Sequence, residues 1–254
     1  MEKKNSSVGT FVWCEHLSFE PERAKEFYSQ LFGWNIKETE MEGSGKYEMI
    51  HSGETPIGGL GGLQKGEQNS YWLAYLSVAN LEESIETIEK NGGKIHLPIT
   101  NIPNIGSFTI ATDSQGAIFA PFKSVDDTPG YDSSQVPTSF CWHELLTREP
   151  QKACSFYREL LNWEFREMDF GEEMPYQLVS NPGAEGAHAG ITKRDRTAWL
   201  QYISVDEVDS VAKMAEKLGG KVLNPPADIQ DIGRFCQVED PTGAVFFIFK
   251  WAKG

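Results

Sequence analysis

Residues 11–34, FVWCEHLSFEPERAKEFYSQLFGW, return as residues 140–163, FCWHELLTREPQKACSFYRELLNW. Eleven residue types recur in register at an offset of 129, from Phe11 and Trp13 at the start to Trp34 at the end. A second match, at an offset of 127, pairs residues 71–95 with 198–222 and residues 105–123 with 232–250. A repeat of this length predicts a chain built from two similar halves.

Each half contains the same order of predicted elements twice. Residues 11–18 are typical of a strand, and Pro21 suits the first turn of a helix. That helix carries apolar residues at i, i+3, i+4 and i+7, namely Ala24, Phe27, Tyr28 and Leu31. Three short, glycine-containing strands follow, and a strand, a helix ending at Gly92-Gly93 and three more strands come next. The sequence therefore predicts four βαβββ modules.

The halves are separated by DDTPGYDSSQVP, residues 126–137, whose Asp, Pro, Gly and Ser content favours an exposed linker. The expected domains are thus residues 1–125 and 138–254. Whether modules pair within a half or between halves is left open by the sequence.

The composition excludes several partners. A net charge of −14 over 254 residues argues against nucleic acid and against an anionic membrane surface. No apolar run is long enough to span a bilayer, and the four cysteines form no C-x-x-C pair, so a cytoplasmic location is expected. A homodimer is compatible with the sequence but not indicated by it.

Two phrases in each half, E-P-x-x-A-x-x-F-Y after a first strand and D-x-x-G-A-x-x-x-x-F before a last one, resemble the vicinal oxygen chelate superfamily. This group includes glyoxalase I, bleomycin-resistance proteins and extradiol dioxygenases, and the chain is most similar to its tandem two-domain bacterial members. The resemblance implies an α+β fold in which the modules form cupped mixed sheets around a small-molecule site. In the enzymes that site holds a divalent metal.

The ligand positions implied by the resemblance do not carry the usual His and Glu. They fall on Trp13, Leu73 and Ala120 in the first half and on Trp142, Leu200 and Phe247 in the second. A fourth position falls on Tyr47 or Glu48, and on Tyr176 or Gln177. The cofactor is therefore left unknown, no residue is assigned as a metal ligand, and a divalent metal is not favoured.

Glu15 and His16 are adjacent, but strand alternation directs them to opposite faces. Phe11, Trp13, Glu15 and Leu17 should share one face, and Val12, Cys14, His16 and Ser18 the other. If Trp13 faces the cup, Glu15 does too, and Glu144 follows Trp142 in the same way. Glu15 and Glu144 are the candidate acid/base groups; the alternative is a carboxylate bound to a local donor at the sheet edge.

The remaining candidates are ligand-binding residues, each with a structural alternative. Trp13 and Trp142 offer stacking surfaces, or belong to the core. The side chains of Tyr75, Ser77, Tyr202 and Ser204 are candidates to line the cups, or to anchor the rim. His188 is a candidate for the mouth of a pocket, or an ordinary loop residue. The glycines of residues 53–63 indicate close backbone approach rather than a phosphate-binding loop, because no helix follows them.

Three functions fit these residues. The favoured one is a small-molecule-binding protein without the usual metal site. The alternative is a lyase, isomerase or dioxygenase-type enzyme that acts on a small carbonyl or aromatic compound, with an unconventional metal site or a Glu base. The third is a structural module with filled cups. Phe247 favours filling of the second cup, while Ala120 leaves space in the first.

Overall fold

The computed structural model describes residues 8–41, 45–63, 69–126, 136–169 and 175–252. The first half consists of β1 (Phe11–Ser18), α1 (Pro21–Phe32), β2 (Asn35–Met41), β3 (Gly45–Ser52), β4 (Thr55–Gly62), β5 (Tyr71–Ser77), α2 (Leu81–Lys90), β6 (Lys94–Ile102), β7 (Gly106–Thr112) and β8 (Ile118–Ser124). The second consists of β9 (Phe140–Thr147), α3 (Pro150–Leu161), β10 (Glu164–Asp169), β11 (Pro175–Ser180), β12 (Ala189–Lys193), β13 (Ala198–Ser204), α4 (Val208–Lys217), β14 (Lys221–Ile229), β15 (Gly233–Glu239) and β16 (Val245–Trp251). The four βαβββ modules and the α+β class are confirmed.

Each half forms its own eight-stranded mixed sheet. The strand order is β2-β3-β4-β1-β5-β8-β7-β6 in the first half and β10-β11-β12-β9-β13-β16-β15-β14 in the second. The two modules of a half join through the antiparallel pair β1–β5 or β9–β13. Modules therefore pair within a half. The predicted linker lies mostly outside the described residues, so the domain boundaries stay a prediction.

Helix α1 shows why the repeated stretch folds as it does. Pro21 occupies its first turn, and the predicted face of Ala24, Phe27, Tyr28 and Leu31 is buried. The helix ends at Gly33, whose positive φ of 69° lets its N–H bond back to the carbonyl of Ser29. Asn162 ends α3 in the same left-handed conformation, with φ 57°.

The helical faces of the two sheets pack against each other. One buried cluster joins the first module to the fourth, and a second cluster joins the second module to the third. The opposite face of each sheet carries a separate, smaller apolar cluster, which forms the floor of a cup. The cups therefore lie on the outer faces of the molecule.

The two repeated phrases meet across the halves. The Tyr28 hydroxyl donates to Asp240 at 2.9 Å, and the Tyr157 hydroxyl donates to Asp113 at 3.3 Å. Each aspartate also accepts backbone N–H bonds within its own D-x-x-G-A turn. These residues of the two repeated phrases thus connect the halves and do not form the cup.

Strand alternation fails at one point in each half. In β1 the pairing with β5 shifts between Phe11 and Trp13, which is the signature of a β-bulge. Phe11 consequently packs with the helical core, while Val12 joins Trp13 on the cup face. The expectation that Phe11 shares a face with Trp13 is therefore wrong. β9 has the same bulge, which brings Cys141 to its cup.

Among the described residues, no helix has the length and apolar character needed to cross a membrane.

Candidate functional site

The first cup contains a cavity of about 650 Å³. Its floor is the cup face of β1 and β5, where Trp13, Glu15 and Tyr75 lie on neighbouring strands. Its walls are largely apolar and come from the other strands and from the turn between β6 and β7: Met41, Met49, Ile102, Ile105, Phe108 and Phe122. Its polar lining includes Lys46, Ser77, Thr100, Asn101, Asn104, Ser124 and Asp126. The space is therefore an apolar cup with one carboxyl group on its floor.

Glu15 is the centre of a hydrogen-bond network on that floor. The Tyr75 hydroxyl donates to Glu15 Oε2 at 2.7 Å, and Tyr47 makes a second side-chain hydrogen bond to the carboxyl group. The indole N–H of Trp13 donates to the Tyr47 oxygen at 3.0 Å, which directs the Tyr47 proton away from Trp13 and toward Glu15. Burial raises the pKa of Glu15, and the bonds from Tyr75 and Tyr47 offset only part of this rise. The group is thus suited both to accept hydrogen bonds and to exchange a proton.

Strand β4 leaves room for this network because it lacks side chains where the network lies. A Cβ on Gly59 would overlap the phenol oxygen and ring of Tyr47. A Cβ on Gly61 would lie 3.3 Å from Glu15 Oε1. The predicted close approach of backbone in residues 53–63 is therefore present, and it is an approach to side chains of the same cup.

The second cup repeats the network around Glu144. The Tyr202 hydroxyl donates to Glu144 Oε2 at 3.0 Å, Tyr176 makes the second bond, and the Trp142 indole donates to Tyr176 at 3.0 Å. Burial raises the pKa of Glu144 as well, partly offset by Tyr202, Tyr176 and the charge of Arg194. Each network thus connects four side chains from three separate strands.

The two cups differ in what covers the carboxyl group. Phe247 stacks on Tyr202 at 4.3 Å in the second cup, and its counterpart in the first cup is Ala120. Trp251 packs 4.7 Å from Phe249, and its counterpart is Ser124. Glu144 is only 7% exposed, whereas Glu15 is partly open to the cavity. Aromatic side chains therefore occupy the space in the second cup that is open in the first.

The donor set of the first cup does not fit a divalent metal. Its implied ligand positions present an indole, a phenol, an isobutyl and a methyl group, from Trp13, Tyr47, Leu73 and Ala120. Glu48, the other choice for the fourth position, lies on the helical face and pairs with Lys25 of α1. Within the described residues, no cluster of three His, Cys, Asp or Glu side chains could hold a metal. Stable divalent sites need several imidazole, thiolate or carboxylate ligands, and Glu15 alone is not enough.

His16 faces away from the cup. It is fully buried, and its Nε2 lies 2.7 Å from Asp240 Oδ2 of the other half. Burial would raise the pKa of Asp240, but the hydrogen bond and charge of His16, together with bonds from Thr242 and Tyr28, hold it below its ordinary value. A Glu15–His16 chelating pair is therefore ruled out by the geometry.

His188 does not lie at the mouth of a cup, so that prediction is wrong. Its ring lies 6.0 Å from Phe11 and 5.4 Å from Trp163, both in the core between the halves. His143 stacks on Phe11 at 3.8 Å in the same region. Burial lowers the pKa of His188 to about 4, and burial with the neighbouring His188 lowers that of His143 to about 3. Two neutral histidines are thus part of the contact between the halves.

The two serine candidates have different positions. Ser77 lines the first cavity. Ser204 instead exchanges hydrogen bonds of 3.3 Å with the backbone of Ser139 and joins the ends of β13 and β9. Ser204 therefore stabilises the sheet of the second half, and these bonds explain why a serine is found there.

The sequence did not single out the far wall of the first cup. Phe108, Phe122 and Met49 all face the cavity, and Phe108 packs 5.5 Å from Tyr75. Two signals were present: Met49 follows Tyr47 by two positions on one strand, and Phe122 ends the D-x-x-G-A-x-x-x-x-F phrase. Phe108 could be placed only once the pairing of β7 with β8 was known.

Comparison with known proteins agrees with this architecture. The family model described as Glyoxalase/Bleomycin resistance protein/Dioxygenase superfamily matches residues 11–120 and 140–248. The chain belongs to this superfamily. Each matched segment spans most of one eight-stranded sheet, so the superfamily fold occurs twice in tandem.

Relatives within the superfamily have different names. CFP32 of Mycobacterium bovis, provisionally named a glyoxylase, is 27% identical over 95% of both chains. The anthracycline biosynthesis protein DauV of a Streptomyces species is 27% identical over 94% of this chain and 92% of its own. These similarities cover the whole tandem arrangement.

Solved structures show the same fold at low identity. A Mn(II)-bound glyoxalase from Novosphingobium aromaticivorans superimposes with a TM-score of 0.67 at 14% identity, covering 96% of this chain and 82% of its own. The 2,3-dioxygenase LapB of Pseudomonas gives a TM-score of 0.65 at 11% identity, covering 97% and 94%. At such identities the likeness concerns the fold and not the reaction.

Proposed function

We propose that the first cup binds a small, largely apolar molecule without the divalent metal of the metalloenzymes in its superfamily, and that the second cup serves as a scaffold. The observation that carries this proposal is the asymmetry between two copies of one network. Glu15 lies on the floor of a cavity of about 650 Å³, whereas in the second cup Phe247 stacks on Tyr202, which holds Glu144, and Trp251 packs against Phe249 and Trp142. That volume is in the range of pockets for drug-sized ligands, about 300–1,000 Å³.

Trp13, Tyr75 and Ser77 are the proposed ligand contacts beside Glu15. The rings of Trp13 and Tyr75 offer apolar surface for stacking, and Ser77 offers a polar contact on the lining. Trp142, Tyr202 and Ser204 belong to the second half and would support the scaffold. The names of the Streptomyces relatives make aromatic small molecules the first class to test.

An enzyme that uses Glu15 as an acid/base group is the second candidate. It is supported by the raised pKa of Glu15 and by the two phenol groups that hold the carboxyl in place. Glu15→Gln keeps the shape of the side chain but cannot exchange a proton. Loss of a turnover in this variant, with ligand binding retained, would favour the enzyme, while binding without turnover in the wild type favours the binding protein.

The proposed function is tested by filling the first cup. Ala120→Phe copies into the first half the residue that the chain already uses at the equivalent register position of the second. A panel of planar aromatic compounds should bind the wild type in isothermal titration calorimetry and should not bind this variant. The matched control is Phe247→Leu, which alters the floor of the second cup and should bind like the wild type. Unchanged binding by Ala120→Phe would contradict the proposal.

The cytoplasmic location, the lack of a nucleic-acid partner and a homodimer remain proposals that rest on the sequence.

A further inference from the structure

We infer that the first cup selects cationic ligands, in which a protonated amine is carried on an apolar or planar body and its N–H group points at Glu15. This inference rests on the proposed function, because it names the ligand class of the same cup. It follows from four features: the state of the carboxyl group, the rings around it, the charges that line the cup and a contrast with the second half.

The carboxyl group of Glu15 lines the cavity and is partly exposed there. Tyr75 donates to Oε2, and the Tyr47 hydroxyl also bonds to the group. Beside Oε1 the strand β4 presents Gly61, which has no side chain, and the nearest other side chain at that point is the apolar Leu17. Burial raises the pKa of this group, and a cationic donor would favour its ionised form, which only accepts hydrogen bonds. A charged donor makes the stronger bond.

Aromatic rings surround this acceptor. Trp13 and Tyr47 are joined by a hydrogen bond, and Tyr75 packs 5.5 Å from Phe108 and 6.4 Å from Phe122. The faces of aromatic rings carry negative potential and attract cations, and this attraction increases where water is excluded. A carboxylate among rings is therefore a site for an organic cation rather than for an anion.

Among the described residues, the charged side chains that line the cavity have a net negative charge. They are Glu15, Asp126 and Lys46, and the Lys46 ammonium pairs with Glu38 at 2.6 Å. The protein as a whole carries a net charge of −14. Long-range and local fields therefore both favour the approach of a cation and oppose that of an anion.

The second half differs in the charges near the same carboxyl group. There the charge of the exposed Arg194 adds a small influence that favours the ionised form of Glu144. In register, Gly190 lies opposite Glu144 as Gly59 lies opposite Glu15, so Arg194 corresponds to Leu63. The second half thus has an exposed cation acting on its carboxyl group at a position where the first half has the apolar Leu63. A ligand ammonium would supply the missing charge.

The test compares two probes of the same shape, 2-(2-naphthyl)ethylamine and 2-(2-naphthyl)ethanol. Calorimetric titration of the wild type at neutral pH should give an affinity at least about tenfold higher for the amine. In Glu15→Gln the two probes should bind within about twofold of each other, and binding of the alcohol shows that this variant is folded. Glu164→Gln, which removes one exposed charge in the second half, is the matched control and should keep the wild-type preference.

The possible results distinguish failure of this inference from failure of the proposed function. Equal affinity of the amine and the alcohol for the wild type, or a preference for the amine that survives Glu15→Gln, would overturn the inference and leave the proposed function standing. Failure of every compound in the aromatic panel, including both probes, to bind the wild type would contradict the proposed function and the inference together.

Discussion

Gly59→Ala should be one of the most damaging single-methyl additions in β4, because the added Cβ would occupy the place of the Tyr47 hydroxyl. Tyr47 would have to move, and its hydrogen bonds with Trp13 and Glu15 would be lost. A neutral hydrogen bond contributes about 0.5–1.5 kcal/mol and one to a charged group about 1.5–3 kcal/mol, so the expected loss in free energy of unfolding is about 2–4 kcal/mol.

The same strand provides the control. A Cβ on Gly62 would meet nothing within 4 Å, so Gly62→Ala should change the free energy of unfolding by less than about 0.5 kcal/mol, or raise it slightly by restricting the unfolded chain. Both variants are measured by equilibrium urea unfolding at neutral pH. Because no positive φ is involved at either position, backbone strain does not confuse the comparison.

A double variant tests the mechanism. In a Tyr47→Ala background the space above Gly59 is vacant, so adding Gly59→Ala should cost at most about 0.5 kcal/mol. The reasoning is refuted if Gly59→Ala is as harmless as Gly62→Ala, or if its effect is undiminished when Tyr47 is removed. Either result would mean that the phenol does not lie over the glycine.

Three further predictions concern stability, each measured by urea unfolding. Tyr28→Phe should lower the free energy of unfolding by about 2–4 kcal/mol, because it removes the donor to Asp240 at 2.9 Å and leaves the buried indole N–H of Trp72 without its acceptor. A change below about 1 kcal/mol would count against the contact between the halves. Glu144→Gln should leave the free energy of unfolding at neutral pH unchanged or higher, because burial raises the pKa of Glu144 and disfavours its charged form. A loss above about 1 kcal/mol would show that the charge is needed. His143 and His188, with pKa values lowered to about 3 and 4, take up protons between about pH 6.5 and pH 4 only when the protein is unfolded, so they reduce stability as the pH falls through this range. His143→Leu should make this decline shallower by up to about 1.4 kcal/mol per pH unit, and an unchanged slope would contradict the burial of His143 as a neutral group.

Much of the fold could be predicted from local pattern. The helical spacing of Ala24, Phe27, Tyr28 and Leu31 and the Pro at the first turn are properties of one segment, and both appear in α1 as expected. Because the sequence repeats, the same prediction extends to all four βαβββ modules. The pairing of modules within a half could not be predicted, because nothing local distinguishes a β1–β5 contact from its exchanged equivalent in the other half.

The bulge at Val12 shows a second limit. A single extra residue leaves no mark in composition, yet it reverses the faces of Phe11 and Val12. Strand alternation therefore predicted the faces of Trp13 and Glu15 correctly, because both follow the bulge in the chain. It gave the wrong faces for Phe11 and Val12, which lie before or within the bulge. The role of His188 was missed for a related reason, since its neighbours Phe11 and Trp163 come from both halves and only the packing of the halves brings them together.

The candidate site was partly visible in the sequence. Glu15 and Tyr75 could be placed on the cup face by alternation, and the contrast of Ala120 with Phe247 predicted an open and a filled cup. The bond from Tyr47 to Glu15 could not be predicted, because it depends on an absent side chain at Gly59 of a third strand.

The central claim is that the first cup binds its ligand without a divalent metal. The most direct test is calorimetric titration of 2-(2-naphthyl)ethylamine into the wild type before and after removal of metals with a chelator, with elemental analysis of the same samples. The account predicts one molecule bound per chain at the same affinity in both samples, and no binding to Ala120→Phe. A stoichiometric divalent metal whose removal abolishes binding would contradict it.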